Sequence, residues 1–224
     1  KIPVVVDEIE QYFLINSSSF WRMVGEVLHI NEEDFRSDIK QYFNTRSNSK
    51  HQSAQSLISI FNRFSEENLS VDRIKEQAFN RNDETLSRIS ILYEWYKNRL
   101  LSSNQVDFSL LQQKALDCLM SSEHVTEEFE HIIIDEFQDT NAIQERLIFR
   151  MAEGYKNVCV VGDDDQALYR FRGATVENFV QFPKRCIQYL GVAPKEIKLN
   201  INYRSKKQIV ETYTHFIDQI NWER

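Results

Sequence analysis

The sequence is short of the residues that bend a chain, with five glycines and three prolines in 224 residues. The glycines, Gly25, Gly154, Gly162, Gly173 and Gly191, are followed by Glu, Tyr, Asp, Ala and Val. None opens the Gly-Lys-Ser/Thr step with which a phosphate-binding loop cradles its ligand. Cysteine is scarce as well. Cys118, Cys159 and Cys186 stand far apart, which excludes a Cys-x-x-Cys pair and argues against a disulfide framework or a zinc site. A reducing, cytoplasmic setting is the expectation from that usage. No apolar run reaches membrane-spanning length and no signal-peptide pattern is present, so no membrane partner is expected. The chain opens on Lys1 rather than methionine, and further sequence is expected upstream. No internal repeat is visible.

Positive charge is also in deficit. The formal net charge is −7, which argues against a protein that coats nucleic acid nonspecifically. From Phe129 onward the balance is nearly even, 13 Lys and Arg against 14 Asp and Glu, whereas the first 128 residues carry 14 against 20. A local basic groove in the C-terminal half remains compatible with that distribution. A hydrophobic content of 42% over this length suffices for one good core or two small ones.

The N-terminal half reads as helices. Leu57, Ile60, Phe61 and Phe64 recur at helical spacing, as do Leu86, Ile89, Tyr93, Tyr96 and Leu100. Asn44 to Ser53 and Ser102 to Gln105 are loop candidates, and Asp107 is placed to cap a helix carrying Phe108, Leu111, Ala115 and Leu119. From about Glu128 the period changes. Ile132 to Ile134 and Val158 to Val161 are short continuous apolar runs, which fit strands buried on both faces of a parallel sheet. Between them Asn141 and Gln144 form a capping box for a helix bearing Ile143, Leu147, Ile148 and Met151, closed by Gly154. Further strands are expected at Cys186 to Leu190 and Ile197 to Ile201. Ser205 with Gln208 opens a last helix with Ile209, Tyr213, Phe216 and Ile220 on one face. The five histidines, His29, His51, His124, His131 and His215, are scattered and read as surface or packing residues.

A right-handed β-α-β crossover makes its two strands parallel, so Asp135-Glu136 and Gly162-Asp163 emerge together at the carboxyl edge, where open α/β sheets bind ligands. Converging carboxylates raise one another's pKa unless a cation or a proton is shared. An oxygen-only set suits Mg²⁺, which takes few protein carboxylates and completes its shell with water and phosphate. Asp135, Glu136 and Asp139 are equally accounted for as acids favouring the start of the next helix, and those residues alone leave both readings open. The stretch VVGDDDQALYRFRGA, Val160 to Ala174, interleaves Tyr169, Arg170, Phe171 and Arg172, as a surface that stacks bases and holds phosphates does. An amphipathic turn with inward-facing aromatics is the alternative. LNINYRS, Leu199 to Ser205, adds Tyr203-Arg204 past an apolar run, and an arginine there suits a phosphate.

In this order DEFQDT, GDDDQALYRFRGA and NYRS resemble the superfamily 1 helicases of the UvrD, Rep and PcrA type. VDFSLL, Val106 to Leu111, is a weaker match to that family's Asp-Phe-x-x-Leu-Leu element, with Ser109 where an acid is common. The resemblance implies an α/β fold, a partial RecA-like parallel sheet of the P-loop NTPase type preceded by a mostly helical subdomain. It divides the chain into a helical accessory subdomain over 1–127, the C-terminal half of a first motor domain over 128–198, and the start of a second over 199–224. It implies ATP and Mg²⁺ as ligands and single-stranded or partly duplex DNA as partner. By that similarity Asp135 holds Mg²⁺ through water, and Glu136, close to the metal, orients and deprotonates the attacking water. Gln166 couples the γ-phosphate to the DNA-contacting loop. Tyr169, Phe171 and Arg172 contact the single strand, with Phe171 where tryptophan is frequent. Tyr203 lies against adenine and Arg204 reaches the γ-phosphate. The function so implied is ATP-driven 3′ to 5′ movement on DNA, with this chain an inactive internal fragment. A degenerate helicase-like binding module and the helicase part of a helicase-nuclease are the alternatives.

Overall fold

A computed structural model describes residues 2–122, 124–163, 166 and 179–218. Contacts divide the chain into two compact units, Lys1–Val192 and Ala193–Arg224. In the first unit the order is β1 (Val4–Val6), α1 (Glu8–Asn16), α2 (Ser18–Leu28), α3 (Glu32–Tyr42), α4 (Lys50–Glu66), α5 (Val71–Asn80), α6 (Glu84–Ser102), β2 (Gln105–Asp107) and α7 (Phe108–Ser121). A 3₁₀ turn at His124–Glu127 leads to β3 (Ile132–Ile134), and a second at Phe137–Asp139 leads to α8 (Ala142–Ala152), β4 (Val158–Val160) and α9 (Phe182–Leu190). The second unit contains α10 (Lys207–Asp218). No described helix is long and apolar enough to cross a membrane.

The helices begin where polar caps stand. Asp7, Ser17, Asn31, Ser49, Ser70, Asp83 and Asp107 each accept a backbone N–H of the first turn, satisfying donors that a helix cannot bond internally. Their apolar faces meet in one core around Ile15, Trp21, Phe35, Leu57, Phe61 and Tyr96. The loop expected over Asn44 to Ser53 ends at Ser49, because that serine caps α4. β1 and β2 pair in parallel, Val4 opposite Gln105 and Val6 opposite Asp107; three-residue strands are too short to show an alternating pattern in the sequence.

A buried polar chain ties the helical core to β2. The Gln11 amide nitrogen donates to Asn62 Oδ1 at 2.8 Å and to the Tyr96 hydroxyl at 3.0 Å. Tyr96 in turn donates to Asp107 Oδ2 at 2.6 Å, while Asp107 Oδ1 accepts the Leu110 N–H at 2.7 Å. Burial pushes the Asp107 carboxyl up, and its bonds to Leu110 and Tyr96 draw it back down. Buried polar groups persist only when partnered in this way. Nearby, Ser109 Oγ donates to Glu66 Oε1 at 3.2 Å.

The second core of this unit lies under β3 and β4, where Ile132, Phe137, Ile148, Phe149, Phe182 and Leu190 pack together. The capping box of α8 is present in full, with Gln144 N–H on Asn141 Oδ1 at 2.9 Å and Asn141 N–H on Gln144 Oε1 at 3.0 Å. Gly154 serves a close approach more than a cap, since α8 ends at Ala152 and a Cβ on Gly154 would stand 1.9 Å from the Thr126 carbonyl oxygen.

Three expectations are corrected. The strands are covered on one face only: Ile132 is buried, but Ile133 is 74% exposed and Cys159 is exposed, because α8 and α9 bury the side that carries Ile132 and Phe137. Cys186 to Leu190 is not a strand but the last part of α9, whose buried residues Phe182, Cys186 and Leu190 repeat every four positions. A proline in its first turn and Gly191 in the left-handed region at its end bound it as a helix. Ile197 to Ile201 forms no strand among the described residues; Ile197, Leu199 and Ile201 are exposed and lack a pairing partner there. The last helix is present, with Ile209, Tyr213 and Phe216 exposed along it; Ile220 lies outside the described residues.

Glu66 gives the helical core a pH dependence. Burial, reinforced by the charges of Asp107 and Glu67, raises its carboxyl from 4.5 to about 7. The folded state therefore holds a proton that the unfolded chain releases at lower pH, so stability falls as pH rises from about 4.5 to about 7 and levels off above. Glu66→Gln is expected to flatten that part of a Tm-versus-pH curve measured by circular dichroism; an unchanged slope would contradict the assignment.

Candidate functional site

β3 and β4 run parallel, with Ile132 opposite Val158 and Ile134 opposite Val160. Their pairing continues past the strand ends. Val161 N–H donates to the Ile134 carbonyl at 2.8 Å, and Phe137 N–H donates to the Val161 carbonyl at 2.9 Å. Asp135-Glu136 and Gly162-Asp163 are thereby held at one edge, as the β-α-β reading requires.

The chain turns sharply at this edge. Glu136 has φ 51°, in the left-handed region, which a residue with a side chain adopts at a cost of about 1 kcal/mol or more. Its N–H donates to Asp135 Oδ1 at 3.0 Å. The next two residues anchor the turn: Phe137 is fully buried, edge-on to Phe182 at 5.1 Å, and Gln138 is 1% exposed. Two exposed carboxylates thus precede two buried side chains, so the acids face outward while Phe137 and Gln138 pin the backbone.

Gln138 joins the two strand ends. Its Nε2 donates to Glu136 Oε2 at 2.6 Å, and its Oε1 accepts the Asp163 N–H at 3.1 Å. Asp163 Oδ2 accepts Gln166 Nε2 at 2.6 Å, and Gln166 N–H donates to the Asp163 carbonyl at 3.1 Å. A continuous path therefore runs Glu136, Gln138, Asp163, Gln166. Gly162 makes room for it, since a Cβ there would stand 2.6 Å from Gln138 Oε1 and 2.9 Å from the Phe179 ring.

The donor set is oxygen, as a hard cation prefers. Among the described residues no three His, Cys, Asp or Glu side chains are gathered to hold a metal unaided. Asp135 and Glu136 fit an ion that takes one or two carboxylates and fills its shell with water and phosphate oxygens. Asp139 Oδ1, in the turn that follows Glu136, is buried with no hydrogen-bond partner.

Of the sequence candidates, Asp135, Glu136 and Gln166 are brought to one strand edge. Tyr169, Phe171 and Arg172 lie outside the described residues. Tyr203 and Arg204 belong to the second unit. There Asn202 Oδ1 accepts the N–H groups of Arg204 and Ser205 at 3.0 and 2.9 Å, an Asx turn that leaves Tyr203 90% exposed.

Two features are not evident from the sequence. Gln138 reads there as one more polar residue in DEFQDT; the available signal is an amide set between Phe137 and Asp139. Glu145, 1% exposed, pairs with Arg185 of α9, and burial raises its carboxyl while Arg185 lowers it. The signal there is an acid on the apolar face of α8, in step with Ile148 and Phe149. Gly162→Ala is expected to push Gln138 off Asp163 and to cost about 1–3 kcal/mol of stability by overpacking, measured by urea denaturation; an unchanged midpoint would show that the contact is not tight.

Residues 7–187 match the model of the UvrD/REP helicase N-terminal domain. The "Probable DNA helicase II homolog" of Rickettsia conorii is 40% identical over 139 residues, 59% of this chain and 20% of the relative. The ATP-dependent DNA helicase PcrA of Bacillus subtilis is 36% identical over 133 residues, 58% of this chain and 17% of the relative. The ATP-dependent DNA helicase SRS2 of Saccharomyces cerevisiae is 34% identical over 138 residues, 59% of this chain and 11% of the relative. The chain spans a fifth or less of the length of these relatives. With most of its length inside the family match, the chain belongs to the UvrD/REP helicase N-terminal domain family.

Proposed function

We propose that this chain supplies one wall of the ATP site of a DNA helicase motor, within a protein that moves 3′ to 5′ along single-stranded DNA. The observation that carries this reading is the pairing of an exposed acidic strand end, Asp135-Glu136, with the Gly162-Asp163 turn through Gln138. On this reading β3 and β4 belong to a RecA-like sheet, with α8 as the crossover between them. Residues 1–127 form an accessory helical subdomain, 128–198 the latter half of the first motor domain and 199–224 the start of the second.

Each residue then has a defined task. Asp135 holds Mg²⁺ through water; when bound, Mg²⁺ neutralises charge on the phosphate oxygens. Glu136, exposed and fixed by Gln138, orients a water and accepts its proton. Gln166, bonded to Asp163, reports on the γ-phosphate to the segment carrying Tyr169, Phe171 and Arg172. Those three side chains hold single-stranded DNA by stacking and by charge. Arg204 contributes positive charge to the γ-phosphate and Tyr203 covers the adenine. The relatives named as ATP-dependent DNA helicases support ATP as the fuel. With no Gly-Lys-Ser/Thr step in its sequence, the chain alone is inactive.

The test is ATP hydrolysis with Mg²⁺ and oligo(dT), in a protein carrying this chain together with a phosphate-binding loop. Stimulation by oligo(dT) is expected, and Glu136→Gln is expected to lower kcat by about 10²–10⁴. Hydrolysis by the 224-residue chain alone, or wild-type turnover in the Glu136→Gln protein, would contradict the reading.

A further inference from the structure

We propose that Gln138 is a positioning residue: its side-chain amide ties the Glu136 carboxylate to the Gly162-Asp163 turn, so that the two cannot move independently. The inference deepens the ATP-site reading and takes its catalytic meaning from it.

The geometry is specific. Gln138 is 1% exposed, and its two amide atoms are spent in opposite directions, Nε2 to Glu136 at 2.6 Å and Oε1 to the Asp163 backbone at 3.1 Å. A carboxylate only accepts and a backbone N–H only donates, so both neighbours fix which way the amide points. The first bond is local to the turn that follows Glu136, whereas the second crosses 25 residues of sequence. The anchor is rigid on both sides. Phe137, next in the chain, is fully buried, and its N–H is bonded to the Val161 carbonyl. On the other side Gly162 admits the amide oxygen only because it has no Cβ.

The consequence is mechanical. Glu136 sits on a left-handed backbone residue with an exposed side chain, and a free carboxylate there would sample several rotamers. The bond from Gln138 selects one. Asp163 meanwhile holds Gln166 through its carboxylate, so displacement of Gln166 shifts Asp163. A shift of the Asp163 backbone reaches Glu136 through a single side chain. Gln138 touches no reacting atom; it acts by where it holds Glu136.

Gln138→Met keeps length and shape and removes both bonds. In the 224-residue chain, the Asp163 amide is expected to exchange with solvent at least about tenfold faster in this variant than in wild type, the loss of one hydrogen bond. In the longer protein kcat for DNA-stimulated ATP hydrolysis is expected to fall about tenfold or more, the worth of one bond to a charged group, with KM for ATP within about twofold. A merely structural role would lower Tm and leave kcat per folded molecule unchanged. Should Gln138→Met fail to fold, Gln138→Asn keeps the amide but is too short to span both partners, and the same two losses are expected of it. Equal Asp163 exchange in wild type and variant would overturn the link, as would faster exchange with unchanged kcat. A wild-type protein without ATP hydrolysis would instead overturn the ATP-site reading, while the exchange measurement would still decide whether Gln138 makes the tie.

Discussion

The parallel register of Ile132–Ile134 against Val158–Val160 determines where the exposed acidic groups at the strand ends of the first unit stand. A slip of one residue would turn every side chain to the opposite face. It would also part Gln138 from Asp163, since the bond from the Asp163 N–H depends on the strands ending level. Three residues of pairing are little to hold a register, and most of the specification comes from outside the ladder. Phe137 is fully buried against Phe182, and burying such a side chain is worth about 1.5–3 kcal/mol. The capping box at Asn141 sets where α8 begins, and the Glu145–Arg185 pair ties α8 to α9.

The two cores of this unit treat charge differently. In the helical part, Gln11, Tyr96 and Asp107 are buried and bonded to one another, so burial is compensated within the protein. At the strand edge Asp135 and Glu136 face solvent, and the buried Asp139 Oδ1 has no partner. An unsatisfied buried oxygen costs about 1–3 kcal/mol. Buried polar atoms without a partner also occur in the helical part, at Asn16 Oδ1, Trp21 Nε1 and Ser53 Oγ, so it is the exposed carboxylates of Asp135 and Glu136 that set the strand edge apart. The two cores remain joined through the α7–α8 contact, where Asn141 Nδ2 donates to Gln112 Oε1 at 3.0 Å and Arg150 holds the Leu119 and Ser122 carbonyls.

The features legible in the sequence are local. The Asp107 cap, the Asn141–Gln144 box and the helical spacing of Leu57 to Phe64 each concern residues within one or two turns, and each is present in the structure. The acidic strand end is readable too, because an unbroken isoleucine run that stops at Asp135 marks where a strand leaves the core. Cys186 to Leu190 reads as a strand because five residues cannot distinguish a four-residue period from a buried extended run; only with Phe182 included does the repeat emerge. Gln138 is invisible to spacing, since its partner Asp163 becomes a neighbour only after α8 has carried the chain back to the sheet. Burial on both faces of β3 fails for a similar reason: a residue's own type does not say what will cover it, and Ile133 is exposed.

On the proposed reading the two strand ends face a Mg²⁺-nucleotide together. Hydrogen exchange on a protein carrying this chain and a phosphate-binding loop tests it directly, with and without Mg²⁺ and a non-hydrolysable ATP analogue. Slower exchange is expected on nucleotide binding at residues 135–138 and 162–166 in the same titration, with the segment around the exposed Phe13 of α1 unchanged. Saturating nucleotide that leaves both strand ends exchanging as before would contradict it.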